Sequence, residues 1–222
     1  MGELIGGGTP RTRLRRLPEL AHYERQAVYE VLDATAVCQV ATIVDASPLV
    51  LPTLFVRDGD RLLLHGSRSS RLLRAMLAAP SVCVSVTIVD GIIVARSSFN
   101  SSMAYRSATV FGPAALLETD QERNSALELL IDRLLPGRSK EVRPSSASEL
   151  SRTSVVTVAI EEASAKVSTG PPEDDEADIA GEAWAGVVPL RSVVETPIPA
   201  PDGAVGRGEV ELPDSVRRLV EG

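Results

Sequence analysis

Residues 36–65 read AVCQVATIVDASPLVLPTLFVRDGDRLLLH, and this stretch decides the fold. Ala36 to Val44, Pro48 to Val56 and Arg61 to His65 are rich in Val, Leu, Ile and Thr, residues that suit a pleated, half-buried surface. Arg57-Asp58-Gly59-Asp60 separates the last two runs, and Asp-Gly tolerates the positive φ angles of a tight hairpin turn. The reading is a three-stranded antiparallel meander.

Upstream of the meander, Tyr23, Ala27, Val28, Val31 and Leu32 recur at three and four residues, which predicts a helix over 23–33. Downstream, Ser67 to Ala79 predicts a helix with serines available as N-caps, a stripe of Leu72, Leu73, Met76 and Leu77, and a stop at Pro80. Val82 to Val89 and Ile92 to Ser97 flank Asp90-Gly91 and predict a second hairpin. A polar loop over 97–102 then leads into a strand from Tyr105 to Leu117, bent at Gly112-Pro113. Asp120 to Leu135 is the clearest helix, and Val155 to Ile160 and Ala165 to Val167 supply late strands. Short antiparallel strands with a few helices predict a mainly β, α+β fold: a closed or partly closed barrel with peripheral helices, since closure removes exposed edges.

The chain has 222 residues, enough for one domain with a full core. Residues 1–20, glycine-rich and then basic, are expected as a flexible N-terminal tail, residues 21–195 as the barrel domain, and residues 196–222 as a C-terminal tail with a short helix over 214–220. Thr169 to Asp178, with its prolines and carboxylates, reads as a solvated loop. At 44% hydrophobic and 24% charged residues, and without an apolar run long enough to span a bilayer, the composition is that of a soluble protein with no membrane partner. A Gly-rich apolar start followed by Arg11, Arg13, Arg15 and Arg16 reverses the order of a secretory signal, so a cytoplasmic location is expected. Cys38 and Cys83 sit in strand-like runs away from any CxxC spacing and are expected as buried free thiols, with no metal site. A net charge of -7 opposes general nucleic-acid binding, so a phosphate-bearing ligand needs a local basic site.

Such a site is legible where the third strand of the meander meets its helix. Gly66 permits close backbone approach, the serines offer hydroxyls, the helix N-terminus offers amides, and Arg68 and Arg71 offer forked hydrogen bonds to a phosphate. The competing reading is an ordinary capped helix with exposed arginines. His65, one of only two histidines, stands at the strand end, where its ring can reach a ligand or an axial metal position or serve as a hydrogen-bonded structural residue. The sequence has no GxSxG, GxGxxG or GxxxxGK[ST] motif, which argues against a hydrolase elbow, a Rossmann site and a P-loop.

Several segments occur together in a familiar order: Tyr23-Glu24-Arg25, Val50-Leu51-Pro52-Thr53, Leu64-His65-Gly66-Ser67 with Ser70-Arg71, Tyr105-Arg106-Ser107 before Val110-Phe111-Gly112, Leu135-Pro136-Gly137-Arg138, Ala163-Ser164-Ala165-Lys166-Val167 before Thr169-Gly170-Pro171-Pro172, and Trp184-Ala185-Gly186 leading to Leu190. Over residues 21–190 the chain resembles the pyridoxamine 5'-phosphate oxidase-related flavin-binding proteins, in the branch that includes nitroimidazole-resistance proteins.

The resemblance implies a six-stranded antiparallel split β-barrel that forms a homodimer and holds FMN at the subunit interface. Val50, Leu51, Pro52 and Thr53 match the strand lining the isoalloxazine ring; His65, Gly66 and Ser67 match the next strand's end; Ser70 and Arg71 match the phosphate-holding pair. Arg106 and Ser107 match the strand that contacts the flavin of the other subunit, and Trp184 matches a late aromatic near the cofactor or else a core tryptophan. The implied activity is flavin-dependent oxidation or reduction of a small molecule, with His65 the candidate catalytic side chain. A non-catalytic flavin-binding or sensing module, and a haem or deazaflavin in place of FMN, are the alternatives. After Trp184 the chain lacks the Arg-x-x-His pair that holds a vitamin B6 phosphate, so B6 oxidation is not expected.

Overall fold

The computed structural model describes Leu4, Ile5, residues 8–201 and 211–221. The meander forms as β2 (Val37–Val44), β3 (Ser47–Asp58) and β4 (Arg61–Ser67), preceded by β1 (Ala21–His22) and α1 (Arg25–Asp33) and followed by α2 (Arg71–Ala78). Next come β5 (Val82–Val94), β6 (Ser102–Gly112), β7 (Ala114–Leu116), α3 (Asp120–Leu134) and α4 (Ala147–Arg152). The remainder is β8 (Thr153–Ala159), β9 (Glu162–Ser168), α5 (Glu176–Ile179), β10 (Gly186–Pro189) and α6 (Asp214–Glu221).

Among the described residues the fold is mainly antiparallel β with six α-helices, and the sheet has ten strands where the resemblance implied a six-stranded barrel. Its order is β1-β9-β6-β5-β2-β3-β4-β8-β7, with β10 added to β5. Because β6 runs through Pro113 straight into β7, which pairs with β8, the path from β6 to β8 returns to the chain segment it left. Gly112 permits that return: a Cβ there would lie 1.9 Å from the Ala159 carbonyl oxygen. Ala159 N–H donates to the Pro113 carbonyl at 3.1 Å and locks the corner.

Side chains alternate along these strands as the pleat requires. Cys38 and Val40 of β2, Leu62 and Leu64 of β4, and Val82, Val84 and Val86 of β5 fill one core with α1 and Met76 of α2. Val56, Leu63 and Val155 face the other way and are covered by Ala126 and Leu130 of α3. Thr119 and Glu122 form a capping box that starts α3, and Ser146 and Glu149 do the same for α4.

Three expectations change. Asp90-Gly91 is not a hairpin turn: β5 continues to Val94, and Asp90 is the extra residue of a bulge between the pairs Val89↔Tyr105 and Gly91↔Ala104. Cys38 is fully buried, and burial pushes its thiol up to about 12, but Cys83 is only half-buried. The N-terminal segment, where described, packs on the body: Ile5 is 2% exposed, Leu4 bridges Glu24, and the Leu14 amide donates to the Tyr23 hydroxyl at 3.1 Å. Parts of both expected tails, residues 1–3, 6–7, 202–210 and 222, lie outside the described residues. The helix expected at 214–220 is present as α6, held where Glu141 accepts from the Ser215 amide at 2.8 Å.

Candidate functional site

The site begins where β3 and β4 part. Their ladder runs from Asp58↔Arg61 to Phe55↔Leu64 and stops there. Beyond that pair β4 stays on β8, with His65↔Val155, Gly66↔Ser154 and Ser67↔Thr153, while β3 stays on β2, with Thr53↔Cys38 and Leu51↔Val40. Residues 47–54 of β3 therefore have one edge without a strand partner among the described residues. Unpaired amides and carbonyls on such an edge are ready hydrogen-bonding groups. Val50 is 55% exposed and Leu51 40% exposed, Pro52 is exposed and Thr53 half-buried.

Across the parting, the end of β4 turns into α2. Gly66 lies against the first turn of the helix, since a Cβ on it would come within 3.2 Å of Leu73 Cδ1 and 3.6 Å of Ser70 Cβ. Ser70 is the N-cap, its Oγ accepting from the Leu73 amide at 3.3 Å. The amides of Arg71 and Leu72, ahead of the first helical hydrogen bond, are left to face outward. Ser67 Oγ accepts from the Ser69 amide at 3.2 Å and lies 2.9 Å from Ser69 Oγ, which shapes the turn. Arg68 donates its backbone N–H to the Arg152 carbonyl at 3.1 Å, tying the turn to the end of α4.

Charge concentrates here against the molecular average. Along the chain no carboxylate occurs between Asp60 and Asp90, while Arg68, Arg71 and Arg74 stand in the turn and in α2; Arg61, at the far end of β4, is paired with Asp58. Arg68 and Arg71 are exposed and make no ion pair with a described residue. An anion at this helix start would meet free guanidinium groups and the positive end of a helix dipole.

His65 is half-buried, and its Nδ1 is buried without a hydrogen-bond partner in the structure. Burial holds its pKa below the ordinary histidine value. The ring is therefore neutral at neutral pH, with a lone pair available on one nitrogen.

The remaining expected site residues are elsewhere in the chain. Arg106 and Ser107 lie on β6, separated from β3 in the sheet by β5 and β2. The Arg106 guanidinium is already engaged by Asp90, Nε to Oδ2 at 2.8 Å and Nη2 to Oδ1 at 2.7 Å, and it holds the Asp90 carboxyl below the usual carboxylate range. Trp184 is 65% exposed, which overturns the core alternative for it. Its ring lies over Gly186, where a Cβ would be 2.8 Å from Cζ2. So one chain gathers residues 50–53, 65–67, 70 and 71 around the parting, and leaves 106, 107 and 184 outside it. Two participants escaped the sequence reading. Asp90 is paired with Arg106 only through strand register, and Arg152 reaches the turn through tertiary contact.

Residues 24–167 match the family model described as pyridoxamine 5'-phosphate oxidase. The chain belongs to this family. Two solved structures align with nearly the whole of it. The flavocytochrome Anf3 from Azotobacter vinelandii is 37% identical, with a TM-score of 0.88 over 95% of this chain and 97% of that one. The FAD and heme binding protein from Mycobacterium smegmatis is 42% identical, with a TM-score of 0.84 over 90% of this chain and 97% of that one. A 5-nitroimidazole antibiotic resistance protein from Bacteroides thetaiotaomicron, 20% identical over 66% of this chain and 86% of its own, shares the fold with a TM-score of 0.56. A search of curated protein sequences gives no match. No helix among the described residues is long and apolar enough to cross a membrane.

Proposed function

We propose that this member of the pyridoxamine 5'-phosphate oxidase family is a redox protein that binds a flavin at the parting of β3 and β4, acts as a homodimer, and carries a haem on His65. The observation that carries the flavin reading is the parting itself. It sets a free strand edge, able to hydrogen-bond the polar rim of a flat ring, opposite a helix start with unpaired arginines, able to take a phosphate. Arg71 and the α2 amides would hold the phosphate, with Ser70 donating its hydroxyl hydrogen while its oxygen keeps the cap. The backbone of Val50 to Thr53 would meet the ring, and Arg106, Ser107 and Trp184 would approach from the partner copy.

The sheet path that leaves β6 and returns through β7 supports a split barrel of six core strands, β6 and β7 counting as one strand bent at Pro113, with β1, β9 and β10 as additions. FAD is favoured over the FMN implied by the sequence resemblance, because the Mycobacterium smegmatis relative, 42% identical over 90% of this chain, binds FAD. That relative and the Azotobacter vinelandii flavocytochrome support the haem. The orphaned, buried Nδ1 of a neutral His65 fits the donor an iron porphyrin requires. A flavin with a haem supplies two-electron chemistry joined to one-electron transfer. The protein's part is to exclude water, keep His65 unprotonated and neutralise the phosphate charge.

Absorbance of the purified protein, followed by cofactor extraction and mass analysis, tests the reading. Flavin bands with a Soret band, and an FAD mass, are expected. A colourless protein that takes up neither FAD nor FMN on titration would refute it, and a flavin that neither NADH nor NADPH can reduce would favour a binding module with no turnover.

A further inference from the structure

A cavity of about 720 Å³ lies apart from the parting of β3 and β4: of the unpaired edge 47–54 it takes only Pro48, and it takes none of residues 50–53, 65–67, 70 and 71. It lies between the end of β2, the C-terminal end of α2 and the start of β5. Its space has a sequence cause: Ala41, Ala75, Ala78 and Ala79 line it where larger aliphatics would close it, while Leu72, Leu73 and Met76 of the same helix are buried. Ile43 and Phe111 complete an apolar wall.

Three polar groups define what this cavity accepts. Arg11 is a lining residue, but its charge is met by a hydrogen-bonded Glu162 carboxylate, and its guanidinium lies 4.9 Å from the Phe111 ring centre. The pair cancels, so the wall presents no net charge for an ion to match. The Ser81 hydroxyl accepts from Arg11 Nη1 at 3.3 Å. Thr42, also a lining residue and 7% exposed, has a buried hydroxyl with no partner in the structure. A buried hydroxyl left unpaired is costly, and a ligand oxygen or nitrogen reached by a χ1 rotation would relieve that cost.

We propose that this cavity is a second binding site, for an uncharged, mostly apolar ring compound carrying one hydroxyl or carbonyl that pairs with Thr42. The inference does not depend on which flavin is bound, but Ala41, Ile43 and Pro48 of the lining also belong to the outward face of β2 and β3, so it requires that a partner copy seated on that face leave the cavity open. Cys83 lies on the wall and reports on occupancy, while fully buried Cys38 serves as an unreactive control.

The test uses the protein as purified, with its cofactors, and 2-naphthol as probe. Calorimetric titration should give saturable 2-naphthol binding, and saturating probe should slow alkylation of Cys83 by N-ethylmaleimide. The anion 2-naphthoate should bind at least about tenfold more weakly, because a charge would be desolvated without a partner. Thr42→Val keeps the volume and should weaken 2-naphthol about three- to tenfold, the worth of one net hydrogen bond, with naphthalene unaffected. Ala78→Trp should fill the space and abolish binding, with an unchanged visible spectrum and sedimentation coefficient showing that the fold is intact. No binding of 2-naphthol to the loaded dimer would mean that a cofactor or the partner copy occupies the space, and would overturn the proposal. Equal affinity for 2-naphthoate, or equal affinity in Ala78→Trp, would overturn it as well.

Discussion

At the scale of single residues, the phosphate and haem assignments separate by which groups are already engaged. Arg71 opens α2 beside two outward amides, whereas Arg68 precedes the Ser70 cap and spends its backbone N–H on Arg152. Arg71→Ala should therefore raise the flavin dissociation constant by about tenfold or more and Arg68→Ala by less than about threefold, measured by equilibrium titration of apoprotein. Equal losses would sink the distinction. His65→Ala should abolish the Soret band and leave flavin binding in place. The pH dependence follows from burial, which lowers the His65 pKa from 6.5. In the unfolded chain the imidazole takes its proton near pH 6.5, and in the folded chain only at lower pH. The unfolded state thus binds more protons in that window, so the stability contribution is full above 6.5 and is lost as pH falls through the folded value. Urea midpoints for cofactor-free protein at pH 7.5 and pH 5 should drop less in His65→Gln than in the unsubstituted chain. An equal drop would show that His65 does not titrate as argued.

At the scale of elements, glycines distinguish contact from conformation. Gly112 lets β6 return as β7, and a Cβ there meets backbone, the Ala159 carbonyl, which cannot swing aside as a side chain can. Gly112→Ala should cost at least about 2 kcal/mol in a urea titration. Gly59, at φ 58 in the β3–β4 turn with nothing within 4 Å of the place a Cβ would take, meets only a backbone penalty. Gly59→Ala should cost about 1 kcal/mol, and a reversal of that order would contradict the corner as described. What the sequence made legible divides along the same line. The meander, α2 with its serine cap and α3 could be read because alternation, capping and apolar stripes are local signals. The Asp90-Gly91 pair misled because a turn dipeptide and a bulge share composition, and only the register against β6 separates them. The β2–β3 hairpin turn, Asp45-Ala46 with φ of 50 and 60, gave little warning, since alanine seldom adopts that region. In the candidate site, residues 65–71 stood out from strand-to-helix chemistry, whereas Val50 to Thr53 entered only through the family resemblance. The Arg106–Asp90 pair, the cavity behind α2 and the seating of Ile5 were not, because each depends on segments distant in sequence.

At the scale of the whole molecule, the outward face of β2 and β3 bears on assembly. Residues directly opposed in an antiparallel pair share a face, which puts Ala41 with Val50, Ile43 with Pro48 and Gln39 with Pro52. Gln39 is the one polar member of that face. Ile43 is 62% exposed, Val50 55% and, at the start of β2, Val37 50%, so the patch stands against water in one chain. A contiguous apolar patch of this kind marks an interaction surface. It adjoins the free edge of β3, so a partner copy seated on it would also close the parting over a bound flavin. The chain is then expected to sediment as a dimer, and flavin affinity should rise and fall with dimerisation. Val50→Asp puts a charge at the centre of the patch on a side chain that the monomer core does not use, so the fold should survive. That variant should sediment as a monomer and bind flavin at least about tenfold more weakly, since both the ring contacts from the partner and the exclusion of water are lost. Ile179→Asp, at a residue 55% exposed on α5, controls for surface charge alone and should remain dimeric with unchanged affinity. A Val50→Asp protein that stays dimeric would move the interface to another face, and a monomer that keeps full flavin affinity would show that one chain completes the site unaided.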